Sequence, residues 1–366
     1  MPSESLLLGN VLEFKNGKNH PGLDQYEQYD VYGANGPIGK TSDFNTEGDT
    51  IVIGRVGSYC GSLHFSTEKG WVTDNAIAAK ALKPIETKFW FYALQSMGLE
   101  RWRAGSGQPL ITQSTLKSLL APNVEPQDRL PIAGVLGALD DLIDTNEQLI
   151  RRLREIMRGA YLRAASSTDR EVSFGDVATL VRDRAAGDGS TKYLGLEHLA
   201  EGGFGITSHG TLDDVGSSQM SFRAGDVLYG KLRPYFRKVD RPWFEGACSA
   251  EIWVLRPTSA IPASFLHAVV DSADFTEFAM TGSEGTRMPR AKWEHVKLYP
   301  VPSPTTEELI QFDSLCQPTW ETMGQLKLEI DELRHTRDEL LPLLMSGKIR
   351  VREAEEVVAS VTKESA

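Results

Sequence analysis

Apolar residues recur at alternating intervals of three and four positions over two long stretches of the chain, residues 126–165 and 305–348. This spacing is typical of the a and d positions of a coiled coil. We therefore predict two long helices that pair through one seam. Its residues are Ile132, Val135, Leu139, Leu142, Asn146, Leu149, Leu153 and Ile156 in the first helix and Leu326, Ile330, Leu333 and Leu340 in the second.

The two apolar series share one register, because adding 177 to the positions of the first series leads to those of the second. One such stretch alone would be better explained as a core helix of a compact domain, whereas two at the same offset favour a paired coiled coil. Antiparallel pairing is the economical arrangement, since parallel helices would require the intervening domain to return the chain over the whole helix length. Pro318 is expected to kink the second helix or delay its regular part, and Gly347 is expected to end it.

The remaining sequence, residues 1–125 and 171–304, predicts two globular domains of mixed structure. Short β-rich runs alternate there with Gly- and Pro-containing turns and with short helical patterns. Residues 163–170 lose the heptad pattern and are predicted to connect the first helix to the second domain. The predicted fold class is therefore α+β, with two globular domains joined by two long antiparallel coiled-coil helices. Residues 349–366 form an acidic tail that is expected to be flexible.

Short motifs repeat between the two halves of the chain. The Gly-Asp pair at residue 48 and the Ile-Gly-Arg-Val run at residue 53 recur as Gly-Asp at residue 225 and Tyr-Gly-Lys-Leu at residue 229. The Gly-Ser turn at residue 105 recurs at residue 282. Together with the two helices, these motifs predict an internal repeat of about 177 residues related by a pseudo-twofold axis.

The composition excludes several classes of protein. The chain has 366 residues, of which 40% are hydrophobic and 24% charged, and this is too apolar for wholesale disorder and too irregular for a fibre. No run of about 18 to 20 apolar residues is present and the start lacks the pattern of a secretory signal, so we expect a cytoplasmic protein. Three well-separated cysteines and seven histidines without metal-ligand spacing favour neither disulfides nor a metal site.

The net charge of −11 opposes nonspecific adhesion to nucleic acid, but the charge is unevenly distributed. Residues 305–366 hold 7 basic and 13 acidic side chains, so more than half of the negative charge lies away from the globular domains. The acidic total is therefore compatible with a local basic groove on either domain.

Residues 34–41, Ala-Asn-Gly-Pro-Ile-Gly-Lys-Thr, fit a permissive form of the phosphate-binding loop. A true loop of this kind opens a helix, but the residues after Thr41 are poor helix formers and no acidic metal-binding strand follows. We favour a Gly-rich turn that presents Asn35 and Lys40. Assignment of the chain as a P-loop ATPase would require saturable nucleotide binding that is lost when Lys40 is changed.

A cluster of basic and aromatic residues lies in the second half, and another basic group follows the turn at residue 282. Such side chains can hold phosphates and place a guanidinium against a guanine edge. A lone cluster would more often be a solvated surface, but the two equivalent turns favour DNA reading. The candidate DNA-binding residues are Asn35, Lys40, Arg55, Gln108, Lys231, Arg233, Tyr235, Arg237, Lys238, Arg287, Arg290 and Lys292, with Gln108 as a plausible adenine reader.

Two globular segments, each followed by a long helix, form the pattern of a known family. Residues 336–349, Thr-Arg-Asp-Glu-Leu-Leu-Pro-Leu-Leu-Met-Ser-Gly-Lys-Ile, look like the ending of that family's second helix. Residues 31–39, 107–112 and 231–235 are also similar to it. On these features the whole chain resembles the specificity subunits of type I restriction-modification systems.

The resemblance implies that residues 1–125 and 171–304 are target recognition domains, each reading one half of a bipartite, asymmetric double-stranded DNA site. The two helices would set the spacing and dock two methyltransferase subunits, and restriction subunits with translocase activity would join the complex. The chain itself would catalyse nothing and bind no cofactor, because partner subunits would use S-adenosylmethionine, ATP and Mg. No membrane partner is expected. The alternative from another class is a coiled-coil adaptor whose globular ends bind proteins.

Overall fold

The computed structural model describes residues 6–23, 27–104, 109–185, 190–203, 205–212, 219–283 and 288–364, with side chains up to residue 361. The chain divides into two units. The first unit combines Met1–Thr145 with Glu329–Ala366, and the second is Asn146–Leu328. Each long helix therefore contributes one part to the first unit and one part to the second.

The helices of the described residues are α1 (Thr87–Met97), α2 (Gln113–Ser118), α3 (Pro126–Ser166), α4 (Phe174–Val177), α5 (Ala263–Val270), α6 (Ala273–Thr281), α7 (Trp293–Val296), α8 (Thr306–Met345) and α9 (Val351–Glu364). The strands of the first unit are β1 (Leu12–Asn16), β2 (Tyr29–Gly33), β3 (Gly36–Thr41), β4 (Thr50–Gly54), β5 (Leu63–Ser66), β6 (Gly70–Val72) and β7 (Ala76–Ala81). Those of the second are β8 (Glu171–Ser173), β9 (Ala178–Val181), β10 (Lys192–Leu194), β11 (Leu199–Ala200), β12 (Gly205–Ile206), β13 (Gly210–Thr211), β14 (Gln219–Phe222), β15 (Val227–Gly230), β16 (Val239–Asp240), β17 (Gly246–Ser249), β18 (Ile252–Pro257) and β19 (Pro300–Pro302).

The two units repeat one sheet topology. The first contains an antiparallel sheet in the order β1-β7-β4-β5, and the second contains the equivalent order β9-β18-β15-β16. A second sheet in each unit includes one parallel pair, β2 with β6 in the first unit and β10 with β17 in the second. The α+β class and the internal repeat predicted from the sequence are therefore present in the fold.

The offset between the two copies is not constant, which corrects the single value of 177. The starts of β4 and β15 lie 177 residues apart, whereas the starts of α3 and α8 lie 180 apart. The second copy thus carries additional residues between its sheet and its long helix. The sequence pattern concealed this shift because positions three apart lie on the same face of a helix.

The long helices run antiparallel within the first unit, as predicted. Asp128 and Ile132, near the start of α3, share one cavity with Leu344, near the end of α8. Further along, Nη1 of Arg337 in α8 donates to Oδ1 of Asp140 in α3 at 2.8 Å. Residue numbers therefore increase along α3 in the direction in which they decrease along α8.

The seam differs from the predicted one in part of α3. Leu149 is 41% exposed and Ile156 is 48% exposed, so neither belongs to a buried seam. Each is followed directly by another apolar residue, Ile150 or Met157, and it is this neighbour that is buried. The other predicted seam residues are at least partly buried. Three are half-buried, namely Leu142, Leu153 and Leu326. The buried ones are Ile132, Val135, Leu139, Asn146, Ile330, Leu333 and Leu340.

One local expectation about the C-terminal part was wrong, because the acidic tail contains the helix α9. Helix α8 begins before Pro318 and continues past it, so its regular part is not delayed there. In the tail, Oε2 of Glu353 accepts from the N–H of Arg350 at 2.7 Å at the helix start. Ala354 is fully buried and Val358 is half-buried on the same face, so a short apolar stripe orders the segment despite its charge.

Buried ion pairs attach the sheets to the long helices. In the second unit, Asp240 at the end of β16 is 2% exposed and meets Arg154 of α3 and Lys327 of α8, with N···O distances of 3.6 and 2.9 Å. Burial alone would raise the pKa of Asp240, but Lys327 and Arg154 hold it well below its usual range. The carboxylate is therefore ionised and binds both helices at once.

The first unit uses a comparable arrangement. Buried Glu86 pairs with Arg129 of α3 at 3.0 Å, and Tyr92 of α1 donates to Asp140 of α3 at 2.6 Å. Asp140 also accepts from Arg337 of α8. In this unit too, both helices are tied to the globular domain by directional polar contacts.

We predict that Asp240→Asn lowers the free energy of unfolding by about 3 to 5 kcal/mol, because two buried cations lose their counter-charge. Chemical denaturation of the full chain measures this loss. Glu356→Gln is the control, since Glu356 pairs with Arg352 on the surface at side-chain exposures of 73% and 89% and should cost less than about 1 kcal/mol. Equal effects of the two substitutions would contradict a structural role for Asp240.

We also predict an acid-sensitive contribution from His267, which is 4% exposed in the second unit. Burial lowers the pKa of His267 to about 4, so the unfolded chain takes up this proton at higher pH than the folded chain. The contribution to stability is thus present at neutral pH and lost as the pH falls from about 6.5 to 4. His267→Gln should flatten stability over this interval, whereas substitution of the 73% exposed His335 should not. Identical pH slopes of wild type and His267→Gln, measured by denaturation, would disprove this assignment.

Candidate nucleic-acid interface

The same backbone crossing occurs just beyond the end of an inner strand of the main sheet in each unit. In the first unit, the N–H of Ile111 donates to the carbonyl of Arg55 at 2.9 Å, just after β4. In the second unit, the N–H of Ala291 donates to the carbonyl of Lys231 at 2.9 Å, just after β15. Arg55 and Lys231 therefore occupy equivalent positions, and both are basic.

In the second unit this crossing borders an open concavity of about 630 Å³. Five separate segments of sequence converge on it. Its lining comprises Leu180, Val181, Arg182, Met220, Lys231, Ala250, Ile252, Trp253, Met288, Arg290, Ala291, Lys292 and Trp293.

Two tryptophans give the concavity an aromatic wall. The rings of Trp253 and Trp293 meet edge to face with centroids 6.0 Å apart. Trp253 stacks on buried Tyr229 at 5.9 Å, and Trp293 contacts buried Phe174 at 6.0 Å. Because the core supports both rings from behind, the wall is preorganised to receive a flat or apolar group.

Every charged residue among the described lining residues is basic, namely Arg182, Lys231, Arg290 and Lys292. Arg290 lies at the exposed rim and makes a two-pronged contact with Glu251, at 3.1 and 3.3 Å. These hydrogen bonds raise the pKa of Arg290. The chain is acidic overall, yet this surface offers an anion several positive partners.

The structure thus brings together three candidates from two distant sequence clusters, Lys231, Arg290 and Lys292. Tyr235 lies on a short 3₁₀ helix, 47% exposed, and its ring packs against Phe236. It remains on the surface of the same domain but does not line the concavity.

Two other candidates, Arg237 and Lys238, make contacts within the domain. Nη2 of Arg237 donates to the backbone carbonyl of Asp271 and lies 3.4 Å from its carboxylate. Nζ of Lys238 donates to the carbonyl of Leu196 at 2.7 Å. Their assignment to the DNA-binding set stays a prediction.

In the first unit, Asn35 is exposed in the turn between β2 and β3. Lys40 lies on β3 and pairs with Asp30 of β2 at 2.9 Å, and this hydrogen bond raises the pKa of Lys40. Residues 36–41 are therefore a strand of a hairpin and do not open a helix, as the sequence indicated when it disfavoured a phosphate-binding loop. Arg55 is half-buried, and Gln108 and Arg287 lie outside the described residues.

Sequence reasoning missed Arg182, Trp253 and Trp293. Arg182 directly follows β9, and Trp253 lies within β18, which the β-rich pattern had identified only as a strand. Trp293 adjoins the candidate Lys292, so the pairing of an aromatic residue with a basic one was the available signal.

The described part of the chain contains no group of three metal-ligating side chains. None of the helices described is both long and apolar enough to cross a membrane. Neither observation adds to the chemistry of the concavity, which depends on cationic and aromatic groups.

Comparison with known proteins identifies the class of the first domain. Residues 3–155 match the sequence model of the family described as the type I restriction modification DNA specificity domain. This part of the chain is similar to that family, in agreement with the resemblance expected from the sequence.

Two relatives from Escherichia coli are specificity subunits. The EcoprrI specificity subunit is 25% identical over 152 residues, which cover 39% of this chain and 37% of that relative. The EcoDI specificity subunit is 32% identical over 96 residues, which cover 26% of this chain and 21% of that relative. The alignments thus span well under half of each relative.

A solved structure extends the likeness of fold to nearly the whole chain. The S subunit of a type I restriction-modification system from M. genitalium superimposes with a TM-score of 0.62 at 18% identity. The superposition covers 93% of this chain and 95% of that one. The fold of this chain, with its two α+β units and long helices, is therefore similar to a known fold.

Proposed function

We propose that this chain is the DNA specificity subunit of a type I restriction-modification complex. Each unit would read one half of a bipartite, asymmetric duplex sequence. The observation that carries the proposal is the basic residue at the same backbone crossing of both units, Arg55 and Lys231. Two equivalent cationic positions on two copies of one fold are expected of a protein that contacts two segments of the same polyanion.

The chemistry of the second unit supports DNA as the ligand. Lysine and arginine side chains hold phosphates, which position a protein on the duplex, and the same groups can contact guanine edges in the major groove. Trp253 and Trp293 supply an apolar wall beside these cations. Local positive charge matters more than the net charge of −11 for a specific contact, because charges beyond about 10 Å are largely screened at moderate salt.

The partners follow from the resemblance. The helices α3 and α8 would set the spacing of the two readers and dock two methyltransferase subunits, and restriction subunits would join that complex. S-adenosylmethionine, ATP and Mg would be used by these partners, and this chain would supply recognition without catalysis.

We predict that the chain, reconstituted with its methyltransferase subunits, selects a split sequence from a randomised library of duplex DNA, with affinity that falls steeply as salt rises. If Lys231 contacts a base, Lys231→Ala should weaken binding to the selected duplex by about 1 to 3 kcal/mol. If Lys231 contacts a phosphate, the substitution should reduce the slope of log affinity against log salt concentration by about one. Arg223→Ala removes an exposed positive charge of the same unit outside the concavity and is the matched control.

Binding by the wild-type complex without any sequence preference would contradict the proposal and favour the coiled-coil adaptor. Equal affinities and salt dependences for wild type and Lys231→Ala, alongside clear sequence selection, would instead remove Lys231 from the interface.

A further inference from the structure

Two backbone positions with left-handed dihedral angles carry glycine in the first unit and arginine in the second. Gly57 has φ of 72° and Arg233 has φ of 51°, and each N–H donates across the crossing, to Pro109 at 3.1 Å and to Pro289 at 2.7 Å.

Four residues further on, Gly61 has φ of 93° and Arg237 has φ of 48°. The turn in between begins with the same hydrogen bond in both units. The N–H of Cys60 donates to Gly57 at 3.1 Å, and the N–H of Phe236 donates to Arg233 at 3.0 Å.

Side chains make this conformation unfavourable, because Cβ approaches the following carbonyl oxygen. Glycine in the first unit shows that the turn needs no side chain at either position. An arginine that adopts the same φ therefore requires a compensating interaction made by its side chain.

For Arg237 that interaction is present within the domain. Its guanidinium pairs with Asp271, which is 8% exposed and also receives a hydrogen bond from Nε of Arg158 in α3 at 2.8 Å. The strain at Arg237 is offset by a buried ion pair that fixes the turn to the long helix.

The guanidinium of Arg237 pairs with Asp271, whereas no described acidic side chain pairs with that of Arg233. Nε of each arginine is buried without a hydrogen-bond partner among the described residues. The backbone of Arg233 is fixed by Pro289, one residue from the rim cation Arg290, and Arg233 lies two residues from Lys231 of the concavity.

We propose that Arg233 is a specificity-determining residue of the second domain, whose guanidinium reads a guanine edge of the bound DNA. This inference rests on the proposed function. A fixed backbone orients the planar fork of the guanidinium, and such a fork matches the two acceptors of guanine. In the first domain, the equivalent Gly57 faces open space, so the two domains differ in what they can read here.

The test compares three variants of the full chain in complex with its methyltransferase subunits. Arg233→Gly and Arg233→Ala both remove the guanidinium, but only glycine relieves the backbone. Arg237→Gly is the control, because it relieves the same strain while breaking the pair with Asp271. Thermal unfolding of the full chain and selection from a randomised duplex library are the two measurements.

We expect Arg233→Gly to melt at a higher temperature than Arg233→Ala, and both to lose about tenfold to a hundredfold of the discrimination at one base pair of one half-site. The other half-site should be unchanged. Arg237→Gly should melt below wild type and keep its base preferences when folded.

Unchanged base preference in both Arg233 variants would overturn the inference, and so would a loss of affinity that is uniform over all sequences, which indicates a phosphate contact. Both results require a wild-type complex that selects a sequence. A wild-type complex that selects no sequence would contradict the proposed function itself, so failure of this inference can be distinguished from failure of the proposed function.

Discussion

Buried charges that must be paired determine how the globular domains attach to the long helices. Asp240 reaches Arg154 and Lys327 from inside the second domain, and a carboxylate that is 2% exposed is stable there only with both cations in place. Apolar contacts would tolerate a domain that slides along the helices, since the hydrophobic effect is not directional. The paired charges favour one position, and the basic concavity is thereby oriented relative to the helix segments of its own unit.

The two copies of the repeat share their backbone framework and differ in the side chains that they present. Both units share the order of their main sheets, the backbone crossing and the left-handed turn, whereas the residues presented at that turn differ, with Gly57 in one unit and Arg233 in the other. This combination suits the proposed reading of an asymmetric sequence, in which equal scaffolds would hold the two units alike while unequal side chains would contact different bases. The concavity of the second unit lies beside the shared crossing, where Lys231 is equivalent to Arg55 of the first unit.

Much of the scaffold could be predicted from the sequence, and much of the site could not. Three-and-four spacing revealed α3 and α8 to within a few residues, and recurring Gly-Asp motifs revealed the repeat. The seam remained ambiguous where two apolar residues are adjacent, as at Leu149 and Ile150, because only packing decides which one is buried. Helix α9 was hidden by its acidic composition. The concavity combines residues as distant as Arg182 and Trp293, and no local pattern indicates that a sheet edge brings them together.

The most direct test of the two-reader account is the methylated sequence in cells that carry either this chain or a chimaera in which residues 171–304 come from another specificity subunit. Sequencing that detects modified adenines compares the two. We expect both cells to show a split methylated site, with one half changed by the chimaera and the other half retained. A chimaera that folds and methylates DNA but changes both halves together, or neither, would contradict the assignment of one half-site to each unit.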